Sequence, residues 1–155
     1  MKRLISVLLA MMLLVSMTAC GGKDSTNAAA PNMQTVFEAM SEYLPDDANA
    51  FDGDYVFNAY GVKPEDCKQQ VVVSYYDGAV TAEVWLIEAV SQDTLNGIKA
   101  LAQSRLESMQ EQFQSYDPKA YALAQDAQLF TEGNCLVFVV SENAEQLVNT
   151  YKSAK

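Results

Sequence analysis

The chain contains no histidine among its 155 residues. Imidazole is the usual general base at neutral pH, so its absence argues against hydrolases of the Ser-His-Asp and Cys-His types. Histidine is also the commonest zinc ligand, and the chain has only three cysteines to replace it. We therefore predict neither a metal site nor a cofactor.

Basic residues are scarce as well. Ten lysines and arginines stand against twenty aspartates and glutamates, which gives a formal net charge of −10 at pH 7. Lys2 and Arg3 belong to a segment that we expect to be removed, and losing their two positive charges takes −10 to −12. Such a charge repels nucleic acid and anionic lipid head groups. Nucleic acid is therefore excluded as an expected partner.

The hydrophobic run at the start of the chain is short. Residues 4–17 carry no charge, and Gly21 and Gly22 follow soon after them. A helix needs about 20 apolar residues to cross a bilayer. A basic start followed by a shorter apolar run is typical of a secretory signal. We expect an export signal rather than a permanent transmembrane helix.

This segment ends in Met17, Thr18, Ala19 and Cys20. The four residues resemble the lipobox of bacterial lipoproteins, although Met17 is a less usual first member than leucine. The resemblance implies a diacylglyceryl group on the Cys20 sulfur and cleavage between Ala19 and Cys20. Two acyl chains, at ~0.8 kcal/mol per buried methylene, hold a protein stably on a membrane. The alternative is a plain secretory signal with an ordinary cysteine nearby.

The N-terminal pattern divides the chain into three parts. Residues 1–19 form the predicted signal peptide, and residues 20–32 form the lipidated cysteine with a small, polar, flexible tether. Residues 33–155 have the size of one folded domain. The predicted location is the extracellular face of the cell membrane, which the protein contacts through its lipid.

The folded part has the patterns of five strands and four helices. The strands are predicted at residues 55–60, 70–76, 80–87, 128–131 and 135–140, where β-branched and aromatic residues concentrate. The helices are predicted before Pro45, from Ser91 to the break at Asp117-Pro118, over residues 119–127, and after a cap at Ser141. The order α-β-β-β-α-α-β-β-α predicts an α+β fold, with helices packed on an antiparallel sheet of about five strands.

Three details of this fold are specific enough to test. Asp77-Gly78 separates two β-rich runs, a strong hairpin signal because both turn residues tolerate positive φ. The strand at 135–140 is almost wholly apolar, so it should lie inside the sheet with both faces covered. On the long helix, apolar residues from Leu95 to Phe113 step by three and four and predict a core-facing stripe.

Cys67 and Cys135 form an even pair in an exported domain. Such a pair is able to form a disulfide. Each cysteine also lies beside an apolar strand, where a free thiol packs as a small buried hydrophobe. The sequence leaves both alternatives open.

Several segments together resemble one known family. They are AEVWLI at 82–87, RLE at 105–107, FQSYDP at 113–118, GN at 133–134 and VVSENAE at 139–145. Their order resembles the lipoproteins of clostridial-type Gram-positive bacteria that carry domain of unknown function 4358, over roughly Met33 to Lys155. The resemblance implies an extracytoplasmic lipoprotein without an assigned activity, so it carries over no functional residue. Cys67 and Cys135 are not hallmarks of that family, which argues against their pairing.

The acidic stretch 46–54 is a candidate calcium loop. Calcium prefers oxygen ligands, and an EF-hand sets them at alternate positions with glutamate at the twelfth. Counted from Asp47, Asn49 is third, but Phe51 is fifth and Asn58 twelfth. The EF-hand pattern fails, and a solvated acidic loop is favoured over a looser calcium site.

Glu83 and Glu88 are the candidate acid and base of a carboxylate enzyme. Their odd separation along one strand places them on opposite faces of the sheet. Glycoside hydrolysis needs two carboxyls at a defined separation, so the two glutamates are a poor pair for it. We expect Glu83 to point to solvent rather than to bond a neighbouring element.

Aromatic residues are the remaining candidates for binding. Exposed on one sheet face, they would suit a partner, a peptide or a carbohydrate, whereas most are expected to pack in the core. The candidates are Tyr55, Tyr60, Tyr75, Tyr76, Trp85, Tyr116 and Tyr121.

The sequence favours a non-enzymatic, membrane-anchored binding or interaction module, with an envelope protein or a small ligand as its partner. The basis is the absence of histidine, of a nucleophile motif and of a phosphate-binding loop. One alternative is a structural or regulatory subunit of a cell-envelope complex. The other is a hydrolase that uses only carboxylates, tyrosines or serines. No catalytic residue is predicted, and Cys20 alone has a predicted chemical role, as the acceptor of lipid.

Overall fold

A computed structural model describes residues 29–77 and 80–154, without the side chains of residues 76–81. This part contains five helices and four strands. They are α1 (Met33–Met40), α2 (Gly53–Tyr60), β1 (Cys67–Asp77), β2 (Val80–Ala89), α3 (Gln92–Phe113), α4 (Pro118–Gln125), β3 (Gln128–Glu132), β4 (Cys135–Val140) and α5 (Ala144–Ser153). Short 3-10 turns at Ser41–Tyr43 and Pro64–Asp66 follow α1 and precede β1.

The strands form one antiparallel sheet in the order β1-β2-β4-β3. Both expected hairpins, β1–β2 and β3–β4, are confirmed. All six residues of β4 are buried, and this strand lies inside the sheet as its apolar sequence predicted. The α+β class is confirmed, but the described sheet has four strands rather than about five.

The prediction of a strand over residues 55–60 was wrong, because these residues belong to helix α2. Asp52 caps this helix by accepting a hydrogen bond from the Tyr55 N–H, and Gly61 ends it at φ 78°. Val56 is buried and Tyr60 packs against the same core, a spacing of four that suits a helix. The aromatic and β-branched residues suggested a strand, but local capping and helical spacing decided the outcome.

Helices cover both faces of the sheet. The first face packs against α2, α3 and α4, and the second face packs against α1 and α5. Successive strand residues alternate between these two cores. The first face presents Val72, Trp85, Ile87, Leu136, Phe138 and Val140, and the second presents Val71, Val73, Val84, Leu86, Val137 and Val139.

The long helix α3 agrees with its sequence. Ser91 caps it by accepting from the Thr94 N–H. Leu95, Ile98, Ala102, Met109 and Phe113 are buried, so the predicted core stripe is confirmed.

The helices that follow agree in part. Asp117 caps α4 with Pro118 in its first turn. The cap predicted at Ser141 was wrong. Helix α5 begins at Ala144 after Asn143, and Ser141 Oγ instead accepts a hydrogen bond from the Asn143 N–H.

Candidate functional site

Four polar side chains meet on the first face of the sheet, towards the β1–β2 turn. Ser74 and Glu83 are opposite each other in β1 and β2. Tyr60 lies in the last turn of α2, where Ser74 hydrogen-bonds its hydroxyl. Arg105 lies in the middle of α3 and bonds Glu83. We call these four residues the Glu83 cluster.

Glu83 is fully buried, with 0% of its surface exposed. Its Oε1 accepts from Trp85 Nε1 at 2.9 Å and from Arg105 Nε at 3.2 Å. Its Oε2 accepts from Arg105 Nε at 3.1 Å and from Nη2 at 2.9 Å. The expectation that Glu83 points to solvent was therefore wrong. Strand alternation places it in the same row as Trp85 on the core face, and Arg105 compensates its charge there.

Arg105 connects this buried carboxylate to the surface. Burial lowers the pKa of Arg105, but the hydrogen bonds and charge of Glu83 outweigh that effect and raise the pKa overall. Its Cζ lies 5.6 Å from the centre of the Tyr60 ring, within the range of a cation–π contact. The side chain remains 30% exposed. Arg105 is thus a fixed cation with one side open to solvent.

The Tyr60 ring packs against the guanidinium of Arg105. Burial raises the pKa of Tyr60 to about 12, and the charge of Glu83 adds to the increase. At neutral pH the phenol therefore keeps its proton and acts as a hydrogen-bonding group. The Tyr60 ring lies 5.0 Å from Trp85, which in turn meets Phe138 edge-on at 5.5 Å. This aromatic stack holds the cluster on the core.

Glu88 does not join the cluster. It lies on the second face, where it accepts from Lys68 Nζ at 3.2 Å and from Gln69 Nε2 at 2.8 Å. The prediction that Glu83 and Glu88 face opposite sides is confirmed. The two carboxyls share no site, and both oxygens of Glu83 are already engaged by donors.

Exposed aromatic surface lies beside the cluster. Tyr55 on α2 is 50% exposed, and its ring is 4.3 Å from that of Phe51. The charge of an ionised Tyr55 would raise the pKa of both Tyr60 and Arg105, so Tyr55 lies within electrostatic range of the two residues. We call Phe51, Tyr55 and the exposed side of Arg105 the Tyr55 surface.

The other candidate aromatic residues are dispersed. Trp85 is a core residue, while Tyr75 and Tyr121 are half-buried. Tyr116 is 62% exposed but lies beyond the end of α3, against Phe113. The side chain of Tyr76 lies outside the described residues.

The acidic loop contains a helix cap. Asp52 Oδ1 accepts from the Tyr55 N–H at 2.7 Å, and Asn49 Nδ2 donates to the Asp47 carbonyl. Asp46 and Asp54 are exposed. Within residues 29–77 and 80–154, no group of three or more histidine, cysteine, aspartate or glutamate side chains is arranged to hold a metal ion.

Within the described part of the chain, neither Cys67 nor Cys135 is joined in a disulfide. Cys67 packs against the core of the first face, whereas Cys135 belongs to the core of the second. Because the sheet separates them, they do not pair with each other. Burial raises the pKa of the Cys67 thiol to about 11, with contributions from Asp66 and Glu65. Such a thiol is a weak nucleophile at neutral pH.

Ala19 and Cys20 lie outside the described residues, so the predicted lipidation and cleavage site has no structural description. Among the helices that are described, none has both the length and the apolar character that crossing a membrane requires.

Sequence reasoning missed Arg105 and Ser74 as site residues. A usable signal existed for both. Glu83 has the same strand parity as Trp85, and Arg105 stands between core positions Ala102 and Met109 at helical spacing. A cation at the border of an apolar stripe, facing a carboxylate in a core row, indicates a buried ion pair.

Comparison with known proteins identifies the domain. Residues 51–141 match the family described as domain of unknown function DUF4358. No curated protein and no solved structure matches the chain. The matched segment begins at Phe51, ends at Ser141 and contains the whole Glu83 cluster. With more than half of its residues matched, the chain belongs to the DUF4358 family.

Proposed function

We propose that this chain is a lipid-anchored protein on the extracellular face of the cell membrane and that its domain binds another envelope component without catalysing a reaction. The observation that carries the proposal is the Tyr55 surface. There a half-exposed tyrosine accompanies a partly exposed arginine that pairs with a fully buried carboxylate. Tyrosine and arginine are enriched among residues that dominate binding energy at protein interfaces.

Rigidity strengthens this interpretation. Arg105 is held by a fork of hydrogen bonds to Glu83 and by the Tyr60 ring, so little side-chain entropy remains to be lost on binding. Among the described residues, Arg105 donates hydrogen bonds through Nε and Nη2 only, which leaves Nη1 as a donor for a carbonyl oxygen of a partner. The arrangement suits recognition by an edge of the guanidinium and a face of Tyr55.

The membrane anchor rests on the N-terminal sequence. Met17, Thr18, Ala19 and Cys20 support lipidation, and the polar residues 21–32 would hold the domain within tens of ångströms of the bilayer by flexible-linker scaling, roughly 5–6 Å times the square root of the residue number. A partner would therefore be a component of the membrane surface or envelope.

The hydrolase alternative receives less support. Acid–base catalysis needs a carboxyl that can exchange its proton with substrate. In Glu83 both oxygens are occupied by Trp85 and Arg105, and Glu88 lies on the opposite face of the sheet. No described pair of carboxyls at the Glu83 cluster offers the two roles.

Photocrosslinking in living cells tests the binding role. A photoreactive phenylalanine analogue at Tyr55 should yield an adduct with one envelope protein. The same analogue at Tyr116 is the matched control, because Tyr116 is also an exposed tyrosine but lies away from the Glu83 cluster. Arg105→Lys should weaken the adduct at position 55, because lysine cannot reproduce the guanidinium fork.

Two results would contradict the proposal. One is the absence of any adduct at position 55 in cells that contain the folded chain. The other is the same set of adducts at positions 55 and 116, since that would indicate random encounters on a crowded surface.

A further inference from the structure

Strand β1 forms an outer edge of the sheet, where backbone hydrogen-bonding groups can face a partner. β1 is an edge strand, paired only with β2 among the described strands. The Phe51 N–H donates to the Val72 carbonyl at 2.9 Å, so the Val72 backbone points away from β2. Backbone direction alternates along an antiparallel strand. Ser74, two residues further on, therefore also turns its N–H and carbonyl outward.

The chain covers only part of this edge. The segment before α2 crosses from the core of the second face to that of the first and bonds Val72 as it passes. On one side of this crossing, Gly53 lies close to the side chains of Gln70 and Pro64. On the other side, among the described residues, no hydrogen bond joins the Ser74 backbone to another segment. The outward backbone of the edge is therefore open at Ser74.

An open edge of this kind can accept an added strand. Main-chain hydrogen bonds supply the affinity in strand addition, and neighbouring side-chain contacts supply the selectivity. Phe51 marks the start of the open edge and stacks on Tyr55. An added strand at Ser74 would thus lie next to the Tyr55 surface.

The acidic residues near this edge indicate which side chains an added strand would carry. The crossing segment contains three exposed aspartates, Asp46, Asp47 and Asp52, and a fourth, Asp54, lies in the first turn of α2. Asp52 directly follows Phe51, and Ser74 lies two positions along the strand from Val72, a distance of roughly 7 Å. With a formal charge of −10, the chain repels an acidic ligand and attracts a basic one.

We propose that the edge of β1 from Ser74 onward binds an extended, lysine- or arginine-containing peptide segment of a partner protein by strand addition. This inference rests on the proposed binding function and names the class of partner. A second copy of the chain is a poorer occupant, because pairing two copies along this edge would bring the acidic crossing segments together.

The sharpest variant is Ser74→Pro. Proline removes the outward N–H of Ser74 but spares the β1–β2 ladder, and edge positions with a solvent-facing N–H tolerate it. Ser74→Ala is the matched control: it removes the side-chain hydroxyl that bonds Tyr60 but keeps the N–H. Circular dichroism and thermal unfolding establish that both variants fold.

Fluorescence anisotropy measures binding of two labelled peptides of about eight residues, one alternating lysine with valine and one alternating glutamate with valine. The lysine peptide should bind at least about tenfold more tightly than the glutamate peptide at low salt. Ser74→Pro should bind the lysine peptide about tenfold more weakly than Ser74→Ala does, because the two variants both lack the hydroxyl and differ by one main-chain hydrogen bond.

Amide hydrogen exchange locates the bound peptide. The Ser74 amide should exchange quickly in the free protein and become protected by the lysine peptide. The proposal is overturned if the lysine peptide fails to bind, if Ser74→Pro binds it as well as Ser74→Ala does, or if protection appears on another element. Concentration-dependent protection of Ser74 without peptide would assign the edge to self-association instead. If any of these results is found and an adduct still forms at position 55 in cells, the proposed binding function is retained and only the strand-addition proposal is rejected.

Discussion

At the residue scale, the main feature is a charge buried where the strand pattern requires an apolar side chain. Glu83 and Ser141 are the buried polar residues of the described part. Removing one partner of a buried ion pair leaves the other charge uncompensated, which costs more than the pair itself contributes. The Glu83–Arg105 pair therefore fixes how α3 lies on the sheet, and through Arg105 it fixes the Tyr55 surface.

Glu83→Gln should destabilise the protein by about 1–3 kcal/mol, because it leaves the guanidinium of Arg105 half-buried without its counter-charge. The figure is below that for a fully enclosed pair since Arg105 is 30% exposed. Urea unfolding measures it. Glu142→Gln is the control, because the Lys119–Glu142 pair is solvent-exposed on both sides and should change stability by less than about 1 kcal/mol. Equal effects of the two substitutions would contradict the assigned role of Glu83.

Tyr60 gives the cluster a signature at high pH. Its folded-state pKa of about 12 exceeds the ordinary value of 10, so the folded state retains the phenol proton that the unfolded chain releases. Its contribution to stability is complete below pH 10 and disappears as the pH rises from 10 to about 12. Tyr60→Phe should flatten the loss of stability across this window, as followed by urea unfolding. An unchanged pH profile would show that Tyr60 titrates like an exposed tyrosine.

At the element scale, the sequence predicts those parts of the fold whose signals are local. The Asp77-Gly78 hairpin, the capped α3 and the Asp117-Pro118 break all depend on residues within a few positions of each other. The failure at 55–60 arose because short apolar segments satisfy both helix and strand patterns. Asp52 and Gly61 cap the two ends of this helix. Aspartate and glycine are also common in loops, so their presence alone did not predict a helix.

Two glycine substitutions test the helical assignments, and they should change the stability of the protein in opposite directions. Gly61→Ala should destabilise the protein by about 1 kcal/mol, since φ 78° strains any side chain and Gly61 ends α2 in that conformation. Gly97→Ala should stabilise it by about 0.5–1 kcal/mol, because Gly97 lies inside α3 with open space around it. Thermal unfolding of both variants compares them directly, and a shared sign would contradict the helical assignment of one of the two positions.

The site was harder to predict from the sequence than the fold. The opposite facing of Glu83 and Glu88 follows from strand parity alone. The contact with Arg105 does not, since it depends on how α3 crosses the sheet and joins residues 22 positions apart. The first-face core assembled from α2, α3 and α4 is likewise a product of packing, and no local pattern specifies it.

At the scale of the whole molecule, the proposal is a small acidic domain held at the membrane by its N-terminus. The domain presents the Tyr55 surface and an open strand edge beside each other. Tethering would raise the local concentration of the domain near envelope partners, so that modest contacts suffice for function. Both the location and the expected class of partner depend on the acylation of Cys20.

The mass of the N-terminal peptide of the mature chain, purified from a bacterial host that processes lipoproteins, tests this central claim most directly. The account predicts a chain that begins at Cys20, carries a diacylglyceryl group on the sulfur and is recovered with the membranes. Cys20→Ala should release the protein from the membrane fraction. A mature chain with an unmodified Cys20, or one cleaved at a different residue and secreted into the medium, would contradict it.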